Sequence, residues 1–170
     1  MSSFASSYIK TSTVAVQRNA DVLTYTGGDI ANINTEGTAY AEYSSAVIDG
    51  NYGTALSGTG SGAGRMICHY SATNCAINDG TAELQKTGLT AINTGIRKRA
   101  STWGTTPTMT VTGDGLAPAS VASFDGVIAP TGIAIGYRGI TNIEYLNGPI
   151  RNVRFWTRKL SASEQQAITS

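Results

Sequence analysis

The sequence predicts an all-β protein: an antiparallel two-sheet β-sandwich closed by one short C-terminal helix. Short alternating or β-branched runs recur along the chain, each bounded by Gly, Asn or Asp, which is the punctuation of a sandwich. Helical signals are nearly absent before residue 160. Gly, Ala, Ser and Thr number 20, 21, 16 and 23 of 170 residues, whereas Leu, Ile, Val and Phe total 33. So thin an apolar content signals disorder only when net charge is high, and here it is +1. A folded domain with an Ile-rich core and many turns follows, and the length suits one domain.

The predicted strands are 12–18, 38–44, 64–70, 82–85, 95–103, 109–112, 132–136 and 149–157. Asp49-Gly50-Asn51, Asn78-Asp79-Gly80, Gly113-Asp114-Gly115, Asp125-Gly126 and Asn147-Gly148 separate them with residues that tolerate positive φ. The run Gly58–Gly64 reads as a flexible loop; no Lys-Ser/Thr and no helix follow it, so it is no phosphate cradle. Ser161 followed by Glu164 three residues on spells a capping box, and one helix over 160–170 is expected. Residues 1–11 read as a tail and 12–170 as a single domain. No run approaches the roughly 18 apolar residues of a membrane span. The start Met1-Ser2-Ser3-Phe4 lacks the basic and apolar segments of a secretory signal, as in a protein not exported by the general route or one cut from a longer chain.

Charge is unevenly spread. Residues 1–94 carry four basic and seven acidic side chains, and 95–170 carry eight and four. The basic groups gather at Arg97-Lys98-Arg99 and at Arg151, Arg154, Arg158 and Lys159. A nucleic-acid binder is usually more basic overall; these groups read as solvated faces or as a patch for acidic polymers. Cys68 and Cys75 flank a short segment that permits a disulfide, but two cysteines make no framework, and free thiols are expected. With His69 the only histidine, a zinc site lacks ligands. As strand neighbours, Cys68 and His69 point to opposite faces, which disfavours a nucleophile pair.

Alternation assigns faces. Ile150, Val153 and Phe155 look inward, with Arg154 and Trp156 opposite. Along 97–103, Arg97, Arg99, Ser101 and Trp103 share one face, and a face carrying Arg, Ser and Trp reads as solvated or as a binding surface rather than as core.

A resemblance covers residues 14 to 168. Leu146-Asn147-Gly148-Pro149-Ile150-Arg151-Asn152-Val153-Arg154-Phe155-Trp156, continuing through Lys159-Leu160-Ser161 to Glu164, resembles the last strand and helix of concanavalin A-like (laminin-G-like) jelly rolls. Arg18-Asn19-Ala20-Asp21 with Glu36-Gly37-Thr38-Ala39-Tyr40-Ala41-Glu42 resembles the opening of such domains in bacteriophage tail proteins. Arg97–Trp103 with Met109–Gly115 resembles their central hairpin. The resemblance implies a sandwich that often binds glycans, here as a non-catalytic, host-receptor-contacting module of a phage tail fibre or tailspike. The expected partner is then a bacterial surface polysaccharide or lipopolysaccharide, with a homotrimer possible, no nucleic acid, and a virion setting assembled in the host cytoplasm. The competing readings are a structural trimerisation or capping module and a glycan-cleaving enzyme on the same fold.

The enzyme reading lacks its residues. None of Glu36, Glu42, Glu83, Glu144 and Glu164 is followed two residues later by Asp, as a retaining glucanase strand requires. No Gln-x-His strand suggests a lyase, and the one Gly-x-Ser-x-Gly string lies in the loop at 58–62. A glycan site wants an exposed aromatic plate flanked by polar groups. Trp103 beside Arg97 and Arg99, and the loop residues Tyr137, Arg138 and Tyr145, are therefore the candidate ligand contacts, although Trp103 equally suits a capped sandwich end. Arg18 and Asp21 read as a local pair. Calcium is possible at the Asp/Asn turns, which turn chemistry also explains; no cofactor is otherwise expected.

Overall fold

In the computed structural model, residues 23–26, 33, 36–46, 53–60, 64–78, 83–104, 109–121, 130–139 and 144–170 are described. They form the predicted sandwich. Its strands are β1 (Leu23–Thr26), β2 (Gly37–Tyr43), β3 (Gly53–Thr59), β4 (Arg65–His69), β5 (Cys75–Asn78), β6 (Glu83–Lys86), β7 (Arg97–Trp103), β8 (Met109–Gly113), β9 (Ala119–Val121), β10 (Gly132–Ile135) and β11 (Ile150–Trp156). A 3-10 turn spans Ile92–Thr94, and helix α1 spans Ala162–Thr169. One sheet has six strands in the order β1-β10-β3-β4-β5-β6, and the other five in the order β11-β2-β7-β8-β9. Each pairing is antiparallel. Among the described residues no helix is long and apolar enough to cross a membrane.

The core between the sheets matches the composition. Ala39, Ala41 and Tyr43 of β2 face Leu56, Met66, Ile67, Cys75 and Ile77 of the other sheet. Many of these side chains are small, so the layers approach closely and single atoms matter. Gly53 shows it. A β-carbon there would lie 2.5 Å from Cε1 and Nε2 of the buried His69 ring, paired with it across β3 and β4. We expect Gly53→Ala to destabilise the domain by about 1–3 kcal/mol, read as a lowered urea midpoint, whereas Gly88→Ala, with no atom within 4 Å but φ of +72°, reports backbone strain alone.

The helix stands where the sequence places it. Ser161 accepts from the Glu164 amide while the Glu164 carboxylate accepts from the Ser161 amide, a complete capping box. α1 lies across β7 and β8 on their outward face. Thr110 donates to Gln165 Oε1 at 2.8 Å, and the Gly115 amide donates to Thr169 at 3.2 Å. At Gly113-Asp114-Gly115 the Asp114 and Gly115 φ angles are +55° and +67°, as a tight turn after β8 requires. The Leu116 amide closes it onto Gly113 at 3.0 Å.

Several strands were not legible. β3 is Gly-Thr-Ala-Leu-Ser-Gly-Thr, a loop-like string that is a strand because β10 and β4 pair with it on both sides. The predicted loop at 58–64 is accordingly shorter: Gly58 and Thr59 end β3, and the Gly58 amide donates to Gly64 at 3.0 Å. β1, β5 and β9 are three or four residues long, too short for alternation to show. The predicted tail 1–11, the strand 12–18, the Arg18–Asp21 pair, and Asp49-Gly50-Asn51, Asp79-Gly80 and Asp125-Gly126 lie outside the described residues.

Candidate functional site

The face assignment of β7 requires a correction. Trp103 is fully buried and donates its indole N–H to the Ile33 carbonyl at 2.9 Å. Ser101 donates to the Met66 carbonyl of the opposing sheet at 2.5 Å, so this face looks into the sandwich. Arg99 is likewise fully buried, its Nη1 on Asp114 Oδ1 at 2.6 Å and its Nη2 on the Thr90 carbonyl at 2.7 Å. An arginine survives in a core when a carboxylate and carbonyls meet it there, and a single strand's pattern cannot display those partners. Trp103 and Arg99 therefore form no exposed plate. Arg97 is half-buried against the 3-10 turn, bonded to the Ala91 carbonyl and the Thr94 hydroxyl.

The other three predicted contacts come together on the six-stranded sheet. Gly136, at φ +84°, starts a segment that folds back over β3: its amide donates to the Ala55 carbonyl, and Ser57 donates to the Tyr137 carbonyl. The 144–147 segment returns beside it, with the Thr54 amide bonded to Glu144 O at 3.0 Å and the Leu146 amide to Gly136 O at 2.9 Å. These bonds stack Tyr145 on Tyr137, ring centroids 6.2 Å apart. Tyr137 is 3% exposed and forms the support; Tyr145 is half-buried and presents the outer ring.

Glu144 is the residue on which the site turns, and sequence reasoning used it only to exclude a glucanase. At φ +60°, its carboxylate takes Arg65 Nε at 2.6 Å and Nη2 at 2.7 Å, Arg138 Nη1 at 3.2 Å and the Thr54 hydroxyl at 3.2 Å. Burial pushes its pKa up, but the Arg65 bond and charge, with Arg138 and Thr54, outweigh that and hold it below the usual carboxylate range. Arg65 and Glu144 are nearly closed to solvent, while the Arg138 side chain keeps 27% of its surface exposed.

The floor continues across the sheet. Arg65 lies opposite Asn78, and Asn78 opposite Glu83. Glu83 accepts the Tyr70 hydroxyl at 2.5 Å and the Gln85 amide at 3.0 Å. Beneath these long side chains Cys68 and Ala76 are fully buried. Arg65, Tyr70 and Glu83 were missed because they are brought together across β4, β5 and β6, and a strand's own pattern carries no sign of its neighbour. The two cysteines are free thiols, Cys68 under this face and Cys75 in the core. Cys68 and His69 do point oppositely: Cys68 pairs with Ala76, whereas His69 stacks on Tyr43 in the core, centroids 5.7 Å apart. Among the described residues no group of three His, Cys, Asp or Glu is placed to hold a metal ion.

This arrangement can bind. A half-buried ring and a part-exposed guanidinium share one ledge, beside acceptors held by their own partners. Rings pack on the apolar faces of sugars, and guanidinium forks read carboxylates or hydroxyl pairs.

No family model and no curated protein matches the sequence. Solved structures do. Ruminococcus gnavus IT-sialidase CBM40 bound to alpha2,3 sialyllactose is similar at TM-score 0.63 and 15% identity, over 84% of this chain and 86% of that one. The leech intramolecular trans-sialidase complexed with 2,7-anhydro-Neu5Ac matches at TM-score 0.61 and 16% identity, over 83% of this chain and 24% of that enzyme. Mouse laminin alpha1 chain domains LG4-5 match at TM-score 0.57 and 13% identity, over 83% and 42%. What the likeness establishes is the fold that the sequence predicts, a concanavalin A-like, laminin-G-like β-sandwich.

Proposed function

We propose that this domain is a non-catalytic glycan-binding module whose site is the outward face of β3–β6 beneath Arg138, Glu144 and Tyr145. The observation that carries the reading is the Tyr145–Arg138–Glu144–Arg65 ledge, a ring beside two guanidiniums that share one carboxylate. The similarity to a CBM40 bound to sialyllactose supports an acidic sugar as its ligand. Within that proposal, Arg138 reads the sugar carboxylate, Tyr145 packs on the ring, and Glu83 accepts a hydroxyl. Glu144, its acceptor sites taken by Arg65, Arg138 and Thr54, holds the guanidiniums in place. Catalysis is not assigned, because Glu144 is committed to two arginines and its proton is held off, which suits neither a general acid nor a free nucleophile. The resemblance of residues 18–21 and 36–42 to bacteriophage tail domains extends the proposal to a glycan of the bacterial surface.

Titration calorimetry with α2,3- and α2,6-sialyllactose, and lactose as the neutral control, tests the reading. The expected result is saturable binding of a sialyllactose, no binding of lactose, and a loss of about tenfold or more in Arg138→Ala and Tyr145→Ala. Undiminished affinity in both variants would move the site elsewhere. No binding of any glycan in a panel of bacterial polysaccharides would overturn the function, and release of new reducing ends would replace it with an enzyme.

A further inference from the structure

The basic cluster at the end of the sequence has no part in the site above, yet the fold arranges it. Arg151 pairs with Glu42 across β11 and β2, and Arg154 with Tyr40. Residues three apart on a regular strand point to opposite faces. Here a bulge intervenes between Arg151 and Arg154, with Asn152 at φ +50°, and both arginines share the outward face of Tyr40 and Glu42. Trp156, opposite Thr38, shares it too. α1 rests on β7 and β8, and β2 lies between them and edge strand β11.

One buried carboxylate pins the bulge. Glu42, 8% exposed, accepts from Arg151 Nε at 2.8 Å, Asn152 Nδ2 at 2.9 Å and the Tyr40 hydroxyl at 2.9 Å. The Asn152 bond, with those of Tyr40 and Arg151, holds it ionised against the cost of burial. Arg151 thereby spends Nε on Glu42 and keeps 62% of its side chain exposed. Arg154 is exposed and makes no hydrogen bond or ion pair among the described residues. Lys98, on the far side of Glu42 in the same row, adds a third cation and donates to the Ser170 carbonyl oxygen. Arg151 and Arg154 thus share an outward face on which the one carboxylate, Glu42, already accepts three bonds, beside a half-buried indole.

We propose that the bulged edge β11 is a second, separate binding surface, with Arg154 and Arg151 contacting the anionic groups of an acidic polysaccharide and Trp156 packing on a sugar face. Successive outward positions on a strand are about 7 Å apart, so the two guanidiniums can meet separate anionic groups of one polymer. A polysaccharide is favoured over nucleic acid because the strip is narrow, offers one aromatic ring, and belongs to a chain of net charge +1.

The test uses the whole chain and immobilised dextran sulfate, with polygalacturonate, neutral dextran and polyuridylate as parallel surfaces, at low and moderate salt. Binding to a sulfated or carboxylated polymer, absent on neutral dextran and weakened by salt, is expected. On dextran sulfate, which has no carboxylate for the Arg138 ledge to read, binding falls about tenfold in Arg154→Gln, whereas Arg138→Ala leaves it unchanged. Tryptophan emission adds a second readout: the polymer shifts it in the parent protein and not in Trp156→Phe, since Trp103 is sealed in the core. Which polymer binds more tightly tells sulfate from carboxylate recognition. Binding that survives Arg154→Gln, that is lost in Arg138→Ala, or that is strongest on polyuridylate would overturn the proposal. Because Arg154 holds no other described group, its substitution does not threaten the fold.

Discussion

Replacing Asp114 by Asn is expected to lower the unfolding free energy by about 3 kcal/mol and the urea midpoint by on the order of 1.5 M. The Arg99 guanidinium is fully buried, and Asp114 is its only carboxylate partner among the described residues, at 2.6 Å. The Lys98 and Thr90 carbonyls take two further donors, and Nε has no partner. Neutralising Asp114 leaves a full positive charge between the sheets with only dipoles to meet it. Asn tolerates the left-handed φ of +55° at this position, so the substitution removes charge and leaves the turn. The double variant Arg99→Met/Asp114→Asn should recover most of the loss, because a flexible apolar side chain of similar length then fills the site with no charge to solvate. A midpoint within 0.3 M of the parent for Asp114→Asn would show that the core tolerates an unpaired Arg99.

Acidification from pH 7 to pH 4 should cost about 3 kcal/mol through one residue, His69. Burial, reinforced by the nearby Arg99 cation, lowers its pKa from 6.5 to about 4. The imidazole is 1% exposed, stacked on Tyr43, hemmed by Gly53, and without a partner at Nδ1. The sign follows from linkage. The unfolded chain takes up the proton near pH 6.5 and the folded chain only near pH 4, so the stability is whole above pH 6.5 and declines as pH falls through that window. Glu42, Asp114 and Glu144 act in the same direction, but their lowered pKa values place their losses below pH 4.5. Urea titrations at half-unit steps should therefore decline between pH 6.5 and 5 in the parent and stay flat there in His69→Phe, which keeps a ring against Tyr43. His69 is the only histidine in the chain, so a decline that persists in the variant would refute the assignment.

How much was legible differs from element to element, for physical reasons. β11 was readable although it carries a bulge, because Ile150, Val153 and Phe155 keep to the core side and the outward positions are charged or aromatic. The capping box was readable because its bonds join residues three apart. β7 was located correctly and its faces were misread. Its outward side, Ala100 and Thr102, is buried beneath α1, and its inward side holds Arg99 and Trp103, so neither face shows the polar signature of solvent. Of the predicted contacts, Tyr137, Arg138 and Tyr145 do meet on one ledge, and they stand close together in the sequence. Glu144, which joins them, takes its partners Arg65 and Thr54 from strands about eighty to ninety residues away.

The sequence by itself determined the fold class, most strand positions, the helix and its cap, and the segment that carries Tyr137 to Tyr145. Those features depend on alternation, turn chemistry and bonds between near neighbours, all of which are written locally. Only the tertiary structure decided which charges are buried and which are presented. Arg99 and Arg154 are the same residue type on strands of similar pattern. One meets Asp114 inside the sandwich; the other stands at a bulged edge with no described partner. Burial of charge depends on partners supplied by other strands, and those are chosen by sheet order and register rather than by the residues on either side.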